Sequence, residues 1–456
     1  MSTIAAISTA MGNGGIGIIR MSGENCFSIL DKMFKAKNKN NSDVIKGYTI
    51  KYGYIVNENE EIIDEVLVSF FTAPKSYTME NMCEINSHGG FIIEKMILEQ
   101  CLKNGASLAE PGEFTKRAFL NGRIDLSQAE SVIDIINSKT EKEARASINQ
   151  LSGSLSKKIK EIQNDLLDIM SDIEATIDYP EYDIEEITNK KAIDTLNFVQ
   201  KKLEKLEKSF YTGKILKEGI KTTIIGKPNA GKSSLLNLIL NEDRAIVSEF
   251  AGTTRDTIEE FITIRGIPLK IIDTAGIRET KDKIEEIGVN KAIKLTNDAD
   301  LVIAIFDCSI KFEKDDLQIL KLIENKNAVI ILNKIDLGEI NTDLDELRKS
   351  NKPIIRLSAR TGEGIEDLYN KIIELFNINE IEIDNGEIIT NIRHKNQIKK
   401  AIDSIKKSII SIEEKMPIDI VSINIKEILI DLGDITGDNV TDDIINKIFS
   451  KFCLGK

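Results

Sequence analysis

The stretch from Ile220 to Asn237, IKTTIIGKPNAGKSSLLN, constrains this chain more than any other. An apolar run ends at Gly226, four loop residues follow, and Gly231-Lys232-Ser233-Ser234 opens a second apolar segment. The pattern G-x-x-x-x-G-K-[ST] therefore stands between a predicted strand and a predicted helix, the context in which it cradles phosphates. Glycine is needed at Gly226 and Gly231 because the chain must turn back with its N–H groups pointing inward. Lys232 would bring a point charge to the β- and γ-phosphates. The Ser233 hydroxyl would ligate Mg²⁺, and the helix N-terminus would add its positive dipole end. A bare glycine turn is the plain alternative, and the motifs that follow in order displace it.

Ala251-Gly252-Thr253-Thr254-Arg255-Asp256 lies in a polar loop before a predicted strand Thr257–Ile264, where a threonine hydroxyl can reach Mg²⁺ once a γ-phosphate is present. After the turn Gly266-Ile267-Pro268, the strand Leu269–Ile272 delivers Asp273-Thr274-Ala275-Gly276, with the carboxylate toward the metal and the Gly276 N–H toward the γ-phosphate. The strand Ala328–Leu332 ends in Asn333-Lys334-Ile335-Asp336, whose last carboxylate can accept two hydrogen bonds from the guanine N1–H and amine. Adenine offers no such pair and would leave a buried carboxylate unsatisfied. Ile354–Leu357 leads to Ser358-Ala359-Arg360, where a backbone N–H can meet guanine O6. Five elements in this order make a guanine nucleotide the ligand.

The position after D-T-A-G holds Ile277, where Ras-type GTPases carry the glutamine that orients water. Either the domain barely hydrolyses GTP alone, or a polar group of residues 278–285 does the work, with Glu285 and Glu286 the carboxylates to inspect first. Asn229, inside the phosphate loop, could supply an oxygen to a monovalent cation where an arginine finger would otherwise bring charge.

A chain of 456 residues has room for two or three domains. No run of eighteen apolar residues appears and the N-terminus has neither a basic n-region nor a continuous apolar core, so a membrane span and a secretory signal are not supported and a cytoplasmic protein is expected. Five scattered cysteines (Cys26, Cys83, Cys101, Cys308, Cys453) form no C-x-x-C pair, which fits reduced surroundings. A net charge of −13 argues against a broad polyanion-binding surface, and any nucleic-acid contact must be local or borrowed from a partner.

Residues 1 to about 120 read as a small α/β domain, with strands at Thr3–Ile7, Gly17–Met21, Tyr48–Ile55 and Glu65–Phe71 and helices at Asn25–Lys35 and Phe91–Lys103. Its polar oddities are Gly12-Asn13-Gly14-Gly15, Arg20, Ser76-Tyr77-Thr78 leading to Glu84, and Ser87-His88-Gly89-Gly90 opening a helix, where His88 reads as a hydrogen-bonded cap. From Pro111 helical spacing takes over in Glu113–Leu120, Leu126–Ser138 and Glu141–Ile177. The last carries a stripe of Leu151, Leu155, Ile159, Ile162, Leu166, Ile169 and Ile173. Helices Lys190–Tyr211, Thr390–Lys415, Ser422–Leu432 and Thr441–Phe452 follow on either side of the GTPase segment, so the economical arrangement is a bundle built from both flanks with that domain inserted. The end, Cys453-Leu454-Gly455-Lys456, fits a prenylation signal poorly and reads as a solvated tail, although positive charge nearby would favour a reactive thiolate.

Gly226–Ser234 with Asn229, the Gly252–Asp256 switch, Pro111-Gly112-Glu113-Phe114 followed by Arg117-Ala118-Phe119-Leu120-Asn121, Ser87-His88-Gly89-Gly90 and the terminal C-x-G-K together resemble the MnmE (TrmE) family of tRNA-modifying GTPases, over the whole chain. The resemblance implies a multidomain α/β plus all-α fold. Its parts would be an N-terminal α/β folate-binding-like and dimerisation domain at residues 1–120, a helical domain at 121–216 and 379–456, and an inserted Ras-like GTPase domain at 217–378. It implies a homodimer working with the flavoprotein MnmG in a heterotetramer or larger complex, with FAD and NADH on that partner. Their joint product would be a carboxymethylaminomethyl or aminomethyl group at C5 of wobble uridine 34 of certain tRNAs; neither DNA nor a membrane is a partner.

By the same resemblance Ser233 and Thr254 match magnesium ligands, and Asn229, Ser248, Phe250 and Thr253 match potassium ligands. The nucleotide would be held by Asn229, Ala230, Gly231, Lys232, Ser233 and Ser234, by Ser248, Glu249, Phe250, Ala251, Gly252, Thr253 and Thr254, and by Asp273, Thr274, Ala275 and Gly276. Asn333, Lys334, Ile335, Asp336, Ser358, Ala359 and Arg360 would read its base. Glu285 matches the carboxylate acting in hydrolysis, with Arg255 and the tail thiol of Cys453 as further catalytic candidates. For a 5-formyl- or methylene-tetrahydrofolate, Arg20, Glu84, Arg123 and Lys456 match the contact places. The family usually has glycine and an acidic residue where Met79 and Asn81 stand, and often lysine at 123. A ribosome-assembly or signalling switch of the Era or Der type is the alternative, but neither a basic RNA-binding module nor a second GTPase domain is visible.

Overall fold

The computed structural model describes residues 2–10, 12–37, 48–179, 185–242, 260–272, 296–338, 340–376 and 388–456. The chain divides into two compact units, one made of Met1–Ile133, Gln150–Asn164 and Lys426–Lys456, the other of Asp134–Asn149 and Asp165–Ile425.

The first unit is organised by a seven-stranded sheet of β1 (Ile4–Ile7), β2 (Ile16–Ser22), β3 (Phe34–Ala36), β4 (Thr49–Val56), β5 (Ile62–Phe71), β6 (Met82–His88) and β7 (Ser107–Leu108), in the order β3-β4-β5-β6-β2-β1-β7. Among the described residues of this sheet only β1 and β7 pair in parallel. Alternation along β2 sends Ile19 and Met21 into a core shared with Leu30 and Met33 of the helix Cys26–Met33 and with Ile97 and Cys101 of the helix Phe91–Lys103. It leaves Arg20 on the opposite face, across from Glu84 in the β2–β6 register. The expected helix to Lys35 stops at Met33, because Phe34–Ala36 turns extended and pairs with β4. Ser87 and His88 are the end of a strand, and the helix begins only after Gly90, whose φ of +136° suits glycine. His88 is hydrogen-bonded as expected, but to Asp64 rather than as a cap.

A second core in this unit joins Ala118, Leu126 and Ala129 to Ile445, Phe449 and Phe452 near the C-terminus. The single helix expected over Glu141–Ile177 is two, Glu141–Leu151 and Ser154–Asp178. Gly153 adopts φ +86° and donates its N–H to Gln150, and Gln128 covers the Leu151 carbonyl.

In the second unit a six-stranded sheet runs β13-β12-β11-β8-β10-β9, from β8 (Ile220–Gly226), β9 (Glu260–Ile264), β10 (Ile267–Ile271), β11 (Leu301–Asp307), β12 (Ala328–Asn333) and β13 (Ile354–Arg356). Every pair is parallel except β9 with β10. β11 and β12 are buried throughout and apolar up to their last residues, Asp307 and Asn333, because both faces are covered, as parallel strands require. The helix Glu185–Glu218 is longer than the expected Lys190–Tyr211. Its neighbour Ser154–Asp178 runs antiparallel to it within this unit, Asp165 meeting Lys202 and Asp172 meeting Lys191. Ile215 from its last turns enters the core of the six-stranded sheet. The helix Ile392–Glu413 packs along Glu185–Glu218, where Gly213 leaves room for the Ile389 carbonyl; a Cβ there would come within 2.1 Å of that oxygen. No described helix is long and apolar enough to cross a membrane.

Candidate functional site

The phosphate loop takes the predicted strand–loop–helix form, between β8 and the helix Lys232–Glu242. Two of its residues adopt left-handed backbone, Asn229 at φ +62° and Gly231 at φ +105°. The glycines are demanded by close approach. A Cβ at Gly226 would lie 2.5 Å from the Ile305 carbonyl, and one at Gly231 would lie 2.0 Å from Asn333 Nδ2. Lys232 Nζ donates to the carbonyls of Gly226 and Lys227, 2.8 Å each, so the ammonium is folded back over the loop, and burial pushes it below its ordinary pKa. Lys227 points the other way, to Asp316 at 2.6 Å and Glu313 at 2.8 Å.

Three of the loops expected to surround the nucleotide are tied together. Asn333, almost wholly buried, donates from Nδ2 to the Ala230 carbonyl at 2.8 Å and accepts the Ala359 N–H on Oδ1 at 2.9 Å. Ser358 donates to Asp336 Oδ1 at 2.7 Å, which leaves the other carboxylate oxygen for two donors. Lys334, at φ +69°, carries its ammonium to Asp307 at the end of β11. Burial alone would raise the Asp307 carboxyl, but the hydrogen bonds from Lys334 and Ser309 hold it below the usual carboxylate range. Asp307 was not singled out in the sequence; a lone acid ending a strand gives no motif. Ser248, Glu249, Phe250, Ala251, Gly252, Thr253, Thr254, Arg255, Asp273, Thr274, Ala275, Gly276 and Glu285 lie outside the described residues.

The second constellation lies in the first unit. Arg20 Nε and Nη2 donate to Glu84 Oε1 at 3.0 and 2.8 Å, and Nη1 donates to the Gly455 carbonyl at 3.1 Å. The guanidinium lies over the rings of Tyr77 at 5.2 Å and Phe114 at 5.6 Å, and Arg123 covers Tyr77 at 4.5 Å. The tail is therefore not a solvated end. Ser8 Oγ also donates to the Gly455 carbonyl, the Gly112 N–H donates to the Cys453 carbonyl, and Gly455 at φ +84° sits where a Cβ would come within 2.3 Å of the Ile7 carbonyl. The Cys453 side chain stays exposed. Burial, and then Arg20, pushes the Lys456 ammonium below its ordinary value. The four residues Arg20, Glu84, Arg123 and Lys456 thus gather around Tyr77 and the tail.

Comparison with known proteins decides the family. Residues 3–123 match the family described as GTP-binding protein TrmE N-terminus, and residues 126–453 match the MnmE helical domain. A tRNA modification GTPase MnmE of Acetivibrio thermocellus is 52% identical over all of this chain and 99% of its own length. Those of Finegoldia magna, 51% identical over 99% of both chains, and of Clostridioides difficile, 48% identical over 100% and 99%, are similar. The chain belongs to the MnmE family of tRNA modification GTPases.

In this MnmE-family chain the Arg20 cluster has supports whose role the motifs did not announce. Arg117 is buried between Glu80 at 3.0 Å and Glu113 at 2.7 Å, and Ser22 donates to Glu80 and bonds Thr78. That frame fixes the segment carrying Tyr77. Met79 within it has φ +61°, a backbone that favours glycine.

Proposed function

We propose that this chain binds and hydrolyses GTP and couples hydrolysis to modification of wobble uridine 34 in tRNA. The cycle would require potassium and run in a homodimer joined to the flavoprotein MnmG, with a carboxymethylaminomethyl or aminomethyl group as the product. The observation that carries the nucleotide reading is Asn333, which braces the phosphate loop and the Ser358–Ala359 loop together so that Asp336 presents a carboxylate oxygen beside them.

Lys232 would exchange its loop carbonyls for phosphate oxygens, losing no hydrogen bonds and gaining charge pairing. Ser233 at the helix start, with Thr254, would hold Mg²⁺. Asn229, exposed and in left-handed backbone, would hold K⁺ with Ser248, Phe250 and Thr253. When bound, these cations supply positive charge to the phosphates in the transition state. Glu285 would orient the attacking water in place of a glutamine, with Arg255 beside the phosphates.

The Arg20 constellation suits a planar anionic ligand such as tetrahydrofolate. Tyr77 and Phe114 offer ring faces, Arg20, Arg123 and Lys456 offer cations, and Glu84 offers an acceptor. Cys453 lies exposed on the tail whose Gly455 carbonyl accepts from Arg20. Mass spectrometry of tRNA from cells lacking the protein tests the reading: an unmodified wobble uridine supports it, and a normal one overturns it. Equal turnover of GTP in sodium and potassium would remove the cation from the scheme.

A further inference from the structure

The helices Glu185–Glu218 and Ile392–Glu413 bury their apolar faces, Leu196, Val199, Leu203 and Leu206 on one and Ile398, Ile402 and Ile405 on the other. Lys395 Nζ lies 4.8 Å over the ring of Phe210, so the start of the second helix meets the end of the first and the two run antiparallel. Their solvent faces are basic. Between Thr195 and Lys217 six lysines stand against two glutamates, and between Ile392 and Glu413 six Arg and Lys stand against two acids, in a chain whose net charge is −13. From Asp165 to Asp178 the adjoining helix has five acids and no base.

This distribution is not that of an ordinary solvated face, where both signs are interspersed. Charge here is sorted by stretch: the helix Glu185–Glu218 taken whole carries eight lysines against six acids, and its basic excess lies between Thr195 and Lys217. Lys201, Lys208, Lys399, Lys400, Lys406 and Lys407 are exposed, and among the described residues none of the six is ion-paired. Exposed aromatic rings, Phe198 and Tyr211, flank the lysines of the longer helix. Four unpaired lysines on the shorter helix, and two on the longer one flanked by aromatic rings, are what a phosphate backbone with accessible bases takes.

We propose that this two-helix ridge is the surface on which the chain holds the phosphate backbone of its tRNA substrate. The assignment rests on the tRNA reading above and adds to it a place and a mode, sequence-independent contact to phosphates. It also reconciles a strongly acidic chain with an RNA substrate, because the basic patch is local.

The test is binding of unmodified tRNA to the full-length protein at several salt concentrations, followed by fluorescence anisotropy. The quadruple variant K399E/K400E/K406E/K407E is expected to weaken binding by about tenfold or more and to flatten the salt dependence by about 0.7–0.9 for each phosphate that is no longer neutralised. GTP hydrolysis without RNA should stay unchanged. The neutral variants K399Q/K400Q/K406Q/K407Q and K201Q/K208Q should show the same trend more weakly, and they serve if charge reversal disturbs folding. Unchanged affinity and unchanged slope overturn the proposal. So does a variant that keeps tRNA binding but no longer joins the flavoprotein partner, which would make the ridge a protein-docking face. A deletion strain with unmodified wobble uridine alongside unchanged variant binding defeats this inference alone, whereas a normal wobble uridine in that strain defeats the underlying reading.

Discussion

Asn333 reaches back from the end of β12 to the phosphate loop, its Nδ2 on the Ala230 carbonyl at 2.8 Å, while its Oδ1 takes the Ala359 N–H at 2.9 Å. One buried amide therefore holds the loop expected to bind phosphates to the loop expected to meet guanine O6. Its spacing from Asp336 is fixed by two residues, one of them Lys334 in left-handed backbone.

Replacing Asn333 by Ala leaves a carbonyl and an N–H buried without partners. At roughly 1–3 kcal/mol for each such group, the second unit should lose about 2–6 kcal/mol of stability. Guanine nucleotide affinity should fall with it, because both loops lose their brace. Urea unfolding and nucleotide titration on the same protein check this, and retained affinity with normal stability would refute it.

Gly231→Ala should be at least as damaging. The new Cβ would meet Asn333 Nδ2 at 2.0 Å in a backbone at φ +105° that alanine resists, so strain and the lost brace coincide. Nucleotide binding is expected to disappear while the circular dichroism of the helices remains. Binding within about twofold of the native protein would contradict the geometry.

Much of this was legible in the sequence because phosphate-loop chemistry is local: glycine, lysine and serine at fixed spacing specify the strand–loop–helix turn. The Arg20 constellation was less legible. Arg20 and Glu84 are 64 residues apart and become partners only through the β2–β6 register, and although Glu113 and Arg117 stand in family motifs, nothing in the sequence pairs them with Glu80. The break at Gly153 was missed because the apolar stripe runs through it at unbroken helical spacing, and a lone glycine inside such a pattern is usually tolerated. The tail misled for a different reason. Four terminal residues carry no periodicity, and what seats them is the backbone of Ile7 and Ser8.

Gly455→Ala should unseat that tail. Its Cβ would press on the Ile7 carbonyl at 2.3 Å, and φ +84° disfavours any side chain. With the Gly455 carbonyl drawn off Arg20, the Cys453 thiol should react faster with a maleimide probe and folate affinity should drop, while global stability shifts little because the tail adds little core. Unchanged thiol reactivity and unchanged folate affinity would show that the seat does not matter.

Glu143 gives a pH dependence with a definite sign. Burial raises its carboxyl from the ordinary 4.5 to about 7, against the Lys139 N–H and ammonium, with Asp134 adding to the rise and Lys217 opposing it. The folded chain then binds this proton more tightly than the unfolded chain. The stabilisation is fully present below about 4.5 and is lost as pH climbs to about 7. Glu143→Gln, which keeps the acceptor for the Lys139 N–H, should flatten the fall of the urea midpoint over that window. Lys139 also lies 3.2 Å over the Phe261 ring of β9, so the titration acts at a contact between a helical segment and the six-stranded sheet. Parallel pH profiles for the two proteins would refute the shift.

The most direct test of the account is phosphate release by the purified protein in potassium and magnesium, with GTP or ATP as substrate, beside the Asp336→Ala variant. The prediction is turnover of GTP well above ATP, abolished in the variant because the two donors of guanine lose their acceptor. Equal turnover of the two nucleotides, or a variant that still prefers GTP, would contradict it.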